Sequence, residues 1–204
     1  MNRKSHWDEV YANKAADEVS WYQAVPTLSL ALLREVGAGP ACAILDVGGG
    51  DSRLVDSVLA ERLGQMTVLD ISGAALERAR ARLGERSADV TWVEADITTA
   101  ALPAEAFDVW HDRAVFHFLT AKEDRVRYAA LAEAALRRGG MLLLATFAPD
   151  GPPRCSGLDV MRYSPSDIAH ELGNSFELVR GLSAVHQTPA GREQRFSVAV
   201  LRRR

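Results

Sequence analysis

Apolar positions in this chain fall in short bursts whose period alternates between that of a strand and that of a helix. Residues 26–36 carry Leu28, Leu32, Leu33 and Val36 at helical spacing, and Gly37, Gly39 and Pro40 end them. From residue 41 a strand–helix alternation begins. The apolar run 41–47 breaks into Gly48, Gly49 and Gly50, and an amphipathic stretch follows at 53–63. Residues 66–70 (MTVLD) and 73–83 repeat that order, and 90–97 and 107–113 add two further strand-like runs. Residues 122–138 predict a long helix stopped by Gly139-Gly140. Residues 141–147 (MLLLATF) predict a strand buried on both faces. Ser164-Pro165-Ser166-Asp167 opens a helix reaching about Leu172. The rhythm then changes: 176–186 and 195–203 are two strands joined by Thr188-Pro189-Ala190-Gly191, with no helix between them. The pattern predicts an α/β protein, a mostly parallel sheet covered on both faces and closed by an antiparallel hairpin.

The glycine turn carries the first chemistry. Three residues without Cβ let a backbone press against a bound molecule at the carboxyl end of a strand. A dinucleotide fingerprint needs glycine at 48, 50 and 53, and position 53 is Arg. A pyrophosphate reader is therefore disfavoured. What stands here is Asp46-x-Gly48-x-Gly50 with Ser52 beyond it, and this resembles the first motif of class I S-adenosylmethionine-dependent methyltransferases. Asp70 closes the second strand, Asp96 and Ile97 close the third, and FDVWHDR at 107–113 resembles the fourth. The four motifs stand in family order over roughly residues 41–147.

The resemblance implies a seven-stranded Rossmann-like sandwich and S-adenosylmethionine as methyl donor, leaving S-adenosylhomocysteine. It places Asp46 at the methionine amino group and Gly48, Gly49 and Gly50 against the ligand. Asp70, with Ile71 beside it, falls on the ribose hydroxyls; Asp96 and Ile97 fall on the adenine. The end of the fourth strand faces the transferred methyl, so His111 is the candidate base and cofactor neighbour, with Asp112 as its companion. Plainer roles compete: His111 and Asp112 could cap a helix at 113–119, and Asp46 and Asp96 could cap turns. Asp51 is expected to cap the helix after the glycines. Arg53 is expected on that helix's surface or paired with an acid, and Arg113 on the cofactor carboxylate or a neighbouring acid. His117 is expected to be structural.

The N-terminal pattern Trp7-Asp8-x-x-Tyr11, with Trp21-Tyr22 after it, resembles the lid of several small-molecule and protein-lysine methyltransferases. Trp21 and Tyr22 would close over the methionine end, and Trp7, Tyr11 and Tyr22 are the candidates to face the acceptor; a packed N-terminal helix is the alternative. Arg154 and Cys155 lie in the loop after the fifth strand where this family recognises its acceptor, and His186 and Gln187, near the final hairpin turn, are expected to reach the same region. The expected organisation is one domain, 1–204, with 1–40 as the lid segment and 41–204 as the core.

Composition narrows the partners. The chain has 204 residues, 48% hydrophobic and 25% charged, with a formal net charge of -3, so no nucleic-acid surface is implied. Two cysteines give no disulfide framework, no apolar stretch suits a membrane, and no metal site is expected; a cytoplasmic monomer or homodimer follows. A small-molecule acceptor is the first expectation and lysine N-methylation of a protein the second. Outside the class stand a nicotinamide-dependent oxidoreductase and a non-catalytic cofactor-binding subunit.

Overall fold

A computed structural model describes residues 3–204. Its first five strands, β1 (Ala43–Val47), β2 (Gln65–Asp70), β3 (Val90–Glu94), β4 (Phe107–Arg113) and β5 (Leu136–Phe147), run parallel. The last two, β8 (Phe176–Gln187) and β9 (Glu193–Arg203), form the expected hairpin, and β9 inserts antiparallel against β5. The seven-stranded order is β3-β2-β1-β4-β5-β9-β8. The chain moves outward from β1 to β3 and then returns to lay β4 on the other side of β1. That reversal opens a crevice beyond the carboxyl ends of β1 and β4, the place where open α/β sheets bind ligands.

Alternate side chains of each strand feed opposite faces, which is why the central strands are apolar throughout. Val47, Trp110, Leu142, Leu144 and Leu201 pack with α5 (Lys122–Ala135) and α6 (Pro165–Leu172). Ile44, Val68, Val109, Leu143 and Val200 pack with α2 (Thr27–Glu35), α3 (Leu54–Glu61) and α4 (Gly73–Leu83). Ser164 caps α6, its Oγ accepting from the Asp167 N–H at 3.2 Å. The remaining helix, α1 (Arg3–Asn13), has no fully buried residue and is held by polar contacts described below.

Three local expectations change. The helix expected to reach Arg138 ends at Ala135, and Leu136 already pairs with Phe107 in the sheet. The glycines that were to stop the helix instead let β5 turn. Gly139 has φ +77°, and a Cβ on Gly140 would lie 2.8 Å from the Arg137 carbonyl oxygen. Pairing with β4 overrides helix propensity here. No helix spans 113–119: Arg113 ends β4, Ala114 takes φ +73°, and one 3₁₀ turn follows at Phe116–Phe118. Asp51 does not cap α3. Its buried carboxylate pairs with Arg82 and with Arg78 at 3.2 Å, tying the glycine turn to α4. The loop after β5 holds a small hairpin, β6 (Arg154–Cys155) with β7 (Leu158–Asp159), that the sequence pattern did not suggest.

Candidate functional site

The glycine turn leaves β1 at Gly48, whose N–H donates to the Leu69 carbonyl at 2.7 Å. Gly48 (φ +66°) has no room for a side chain: a Cβ would sit 2.0 Å from Val115 Cγ2. A Cβ on Gly50 would lie 2.7 Å from Asp70 Oδ2, so the carboxylate at the end of β2 rests directly against the turn. Asp70 is buried, and its Oδ1 accepts from the Ser72 N–H at 2.8 Å. Burial, with the nearby charges of Asp46 and Asp8 adding to it, pushes its carboxyl up to about 7. At the end of β3, Asp96 Oδ1 accepts from the Thr98 N–H at 2.8 Å and the Thr98 hydroxyl at 2.7 Å. That is the turn-capping role, and Asp96 Oδ2 faces Arg3 at 3.7 Å.

Asp70, Ile71, Asp96 and Ile97 line one cleft together with Gly48, Trp7, Tyr11, Trp21, Arg113 and Cys155. The roof is α1 and the segment behind it. Trp7 meets Trp21 (ring centres 5.7 Å apart) and Phe118 (5.1 Å), and Tyr11 meets Trp21 (6.2 Å). Ion pairs fasten this roof. Arg3 pairs with Asp124, Lys4 reaches Glu94 at 3.0 Å, and Asp8 accepts from the Ser72 hydroxyl at 2.7 Å. Arg78 donates to the Tyr11 and Lys14 carbonyls, each at 2.8 Å.

A second cavity continues behind Gly48, bordered by Asp46, Gly49, Ser52, Arg53, Tyr22, Ser29, His111 and Arg113. His111 Nδ1 lies 2.7 Å from Asp46 Oδ1, and its Nε2 lies 2.9 Å from Ser29 Oγ. With Asp46 as carboxylate, Nδ1–H donates to it and Nε2 accepts from the Ser29 hydroxyl. Both ring nitrogens are thus engaged. His111 holds Asp46 through Nδ1, and its Nε2 meets Ser29 in this second cavity rather than in the roofed cleft. Asp112 is not its companion, because successive strand residues point to opposite faces. Asp112 accepts from the Tyr128 hydroxyl at 2.7 Å and from the Val115 N–H at 2.8 Å, and burial pushes its carboxyl up to about 6. That matches the capping alternative, on a 3₁₀ turn.

Two arginines border this cavity with nitrogens that have no hydrogen-bond partner among the described residues, Arg53 Nε and Arg113 Nη2. Arg53 stacks over Tyr22 at 5.9 Å instead of pairing with an acid. Arg113 finds no neighbouring acid either. Its Nη1 donates to the Trp21 carbonyl at 3.0 Å, and burial pulls its guanidinium down to about 10.

Of the acceptor candidates, Cys155 is buried in the cleft wall as a thiol that burial pushes up to about 11. Arg154 is not in the cleft; it pairs with Asp159 at 3.1 Å and donates to the Gly157 carbonyl. His186 donates to the Ser20 carbonyl at 2.7 Å and borders a separate cavity beneath α2. Tyr22 faces the second cavity, not the first. His117 is buried against Phe118 and Phe147, and burial pulls its imidazole down to about 3, as suits a structural residue. Ser29 and Arg3 were missed. A serine on the buried face of the leucine-rich 26–36 helix was the available signal for the first; nothing marked the second.

The donor set fits S-adenosylmethionine. Asp46 suits its ammonium, the unpartnered Arg53 nitrogen its carboxylate, buried Asp70 its ribose diol, and Asp96 with Ile97 its adenine.

The fold is that of the class I methyltransferases. A methyltransferase-domain family model matches residues 44–140. An uncharacterized methyltransferase of Mycobacterium bovis is 36% identical over 112 residues, covering 55% of this chain and 53% of that protein. Residues 44–140 belong to the methyltransferase-domain family; the match spans about half the length of this curated relative. Two solved structures share the fold. An S-adenosylmethionine-dependent methyltransferase from Anabaena variabilis superposes with a TM-score of 0.76 at 16% identity, covering 100% of this chain and 96% of that one. The 1,6-didemethyltoxoflavin N1-methyltransferase of Burkholderia thailandensis, bound to S-adenosylhomocysteine, gives 0.69 at 21% identity, covering 98% and 84%.

Proposed function

We propose that this chain moves the methyl group of S-adenosylmethionine to a nucleophilic N, O or S atom of a small molecule. One observation carries the choice of acceptor size. The cleft is roofed by the chain's own N-terminal segment, through Arg3, Trp7, Tyr11 and Trp21, rather than open along a groove. A protein lysine would need an open acidic groove, and here the buried cation Arg113 would oppose its ammonium. The lid segment and the core act as one unit in this reading, since both line the cleft. Two free cysteines suit a reducing cytoplasm. When bound, the donor supplies a methyl already activated by its sulfonium. The protein's work is to hold Asp46 through His111 and Ser29, to exclude water under Trp7 and Trp21, and to align the acceptor.

Calorimetric titration with S-adenosylmethionine and S-adenosylhomocysteine tests the donor. Micromolar binding of both supports the reading, and acceptors are then screened by homocysteine-product release. A folded sample that binds neither refutes it.

A further inference from the structure

Arg113, unlike Arg53, reaches into the roofed cleft as well as the cavity at the glycine turn. It stands at the end of β4 and borders the roofed cleft, the cavity behind Gly48 and the cavity beneath α2. Its guanidinium lies 5.4 Å from the centre of the Phe196 ring, Nη1 is bound to Trp21, and Nη2 is buried without a partner. No carboxylate reaches it among the described residues; Asp46 acts on it only through space. A buried guanidinium without an anion is costly to the fold, so such a group marks a place where an anion binds. The donor brings one carboxylate for two such arginines; Arg53 lines the cavity at the glycine turn but not the roofed cleft, whereas Arg113 lines both. One cation is left over.

A second observation points the same way. Asp70 and Asp96 stand at the donor end of the cleft; beside Arg113, Cys155 holds its proton, Asp112 is turned into the core, and His111 borders the cavities behind Gly48 and beneath α2 rather than the cleft. An acceptor that must lose a proton would find nothing on its side of the cleft to take it.

We propose that the acceptor is a small oxyanion on an apolar body, a carboxylic acid or an equally acidic hydroxyl, that docks on Arg113 and is methylated on oxygen. This rests on the methyltransferase reading above. An oxygen lone pair forms the new O–CH₃ bond while the CH₃–S pair returns to sulfur. The negative charge of the acceptor and the sulfonium charge cancel, and no proton moves. The product is neutral and loses its attraction to Arg113, which favours release. Trp21, Phe118 and Val115 supply the apolar walls.

The test is calorimetric, on protein saturated with S-adenosylhomocysteine. Acetate, benzoate and indole-3-acetate are each titrated beside the corresponding amide. At least one carboxylate should bind tenfold or more tighter than its amide. The Arg113→Gln variant should lose that preference while keeping S-adenosylhomocysteine affinity within threefold. It should also melt no lower than wild type, since it removes an unpaired buried cation. Equal binding of acids and amides, or of none, overturns the proposal while leaving the methyltransferase reading intact. Loss of S-adenosylhomocysteine affinity in a folded Arg113→Gln variant overturns it too, by assigning Arg113 to the donor. Wild type that fails to bind S-adenosylhomocysteine removes both.

Discussion

Replacing Asp70 with Asn should weaken S-adenosylhomocysteine binding, and by an amount that depends on pH. Burial holds the Asp70 carboxyl up to about 7, and its Oδ2 rests over Gly50 where the ribose diol is expected. Only the carboxylate accepts from both hydroxyls, so the ligand selects the ionised form. With a carboxyl near 7, about a tenth is ionised at pH 6 and about nine-tenths at pH 8. Wild-type affinity should therefore rise about tenfold over that span. Binding at pH 6 should release close to one proton, visible as a heat that varies with the buffer's ionisation enthalpy. At pH 8, hydrogen bonds to a charged group contribute about 1.5–3 kcal/mol each. An amide keeps one acceptor and loses the charge, a net loss of about 2–3 kcal/mol, or roughly 30- to 150-fold. The Asp70→Asn profile should be flatter, and the difference between the two proteins isolates this group from others that titrate. The stability sign runs the other way. A folded carboxyl raised from 3.8 stabilises the ligand-free protein below the unfolded value, and that contribution is lost as pH rises through about 7. Ligand-free Asp70→Asn should thus melt at least as high as wild type at pH 8. Equal affinities at pH 8, or a wild-type profile falling with pH, would refute the ribose assignment.

His111→Ala leaves Asp46 buried without its donor, so S-adenosylhomocysteine affinity should drop about tenfold, as expected for one lost charge-assisted bond; unchanged affinity with slowed turnover would restore His111 as a base. Gly48→Ala puts a Cβ 2.0 Å from Val115 at φ +66°. It should cost about 2 kcal/mol or more in chemical denaturation and abolish cofactor binding, and a stable, binding variant would contradict the cradle. Arg3→Glu reverses the charge that meets Asp124 and Asp96 at a partly exposed edge. By stopped flow it should speed S-adenosylhomocysteine release severalfold, an effect of roughly 1 kcal/mol that shrinks in high salt; a release rate unaffected by the substitution would show that α1 is not the roof.

Much of the frame was legible because it depends on local rules. The alternating apolar runs gave the strands, Ser164-Pro165 gave the start of α6, and the missing helix between 186 and 195 gave the closing hairpin. Errors fell where a distant strand competes with local preference. An alanine- and leucine-rich stretch favours helix to Arg138, yet Phe107 takes Leu136 into the sheet. The same holds for side chains. Asp51 resembles a cap until Arg78 and Arg82 arrive from α4.

The sequence by itself determined the sheet, the glycine turn and the acidic residues that end β1, β2 and β3, because each depends on spacing within one short segment. Tertiary structure decided what those groups meet. Whether His111 is free or sealed depends on Ser29, a residue on α2 remote in sequence. Whether Asp112 reaches the site depends on the pleat that turns it toward Tyr128. Whether Arg113 has an anion depends on what the packed chain leaves beside it. A residue's type sets its chemistry, but its charge partners and exposed atoms exist only after the chain has closed around it.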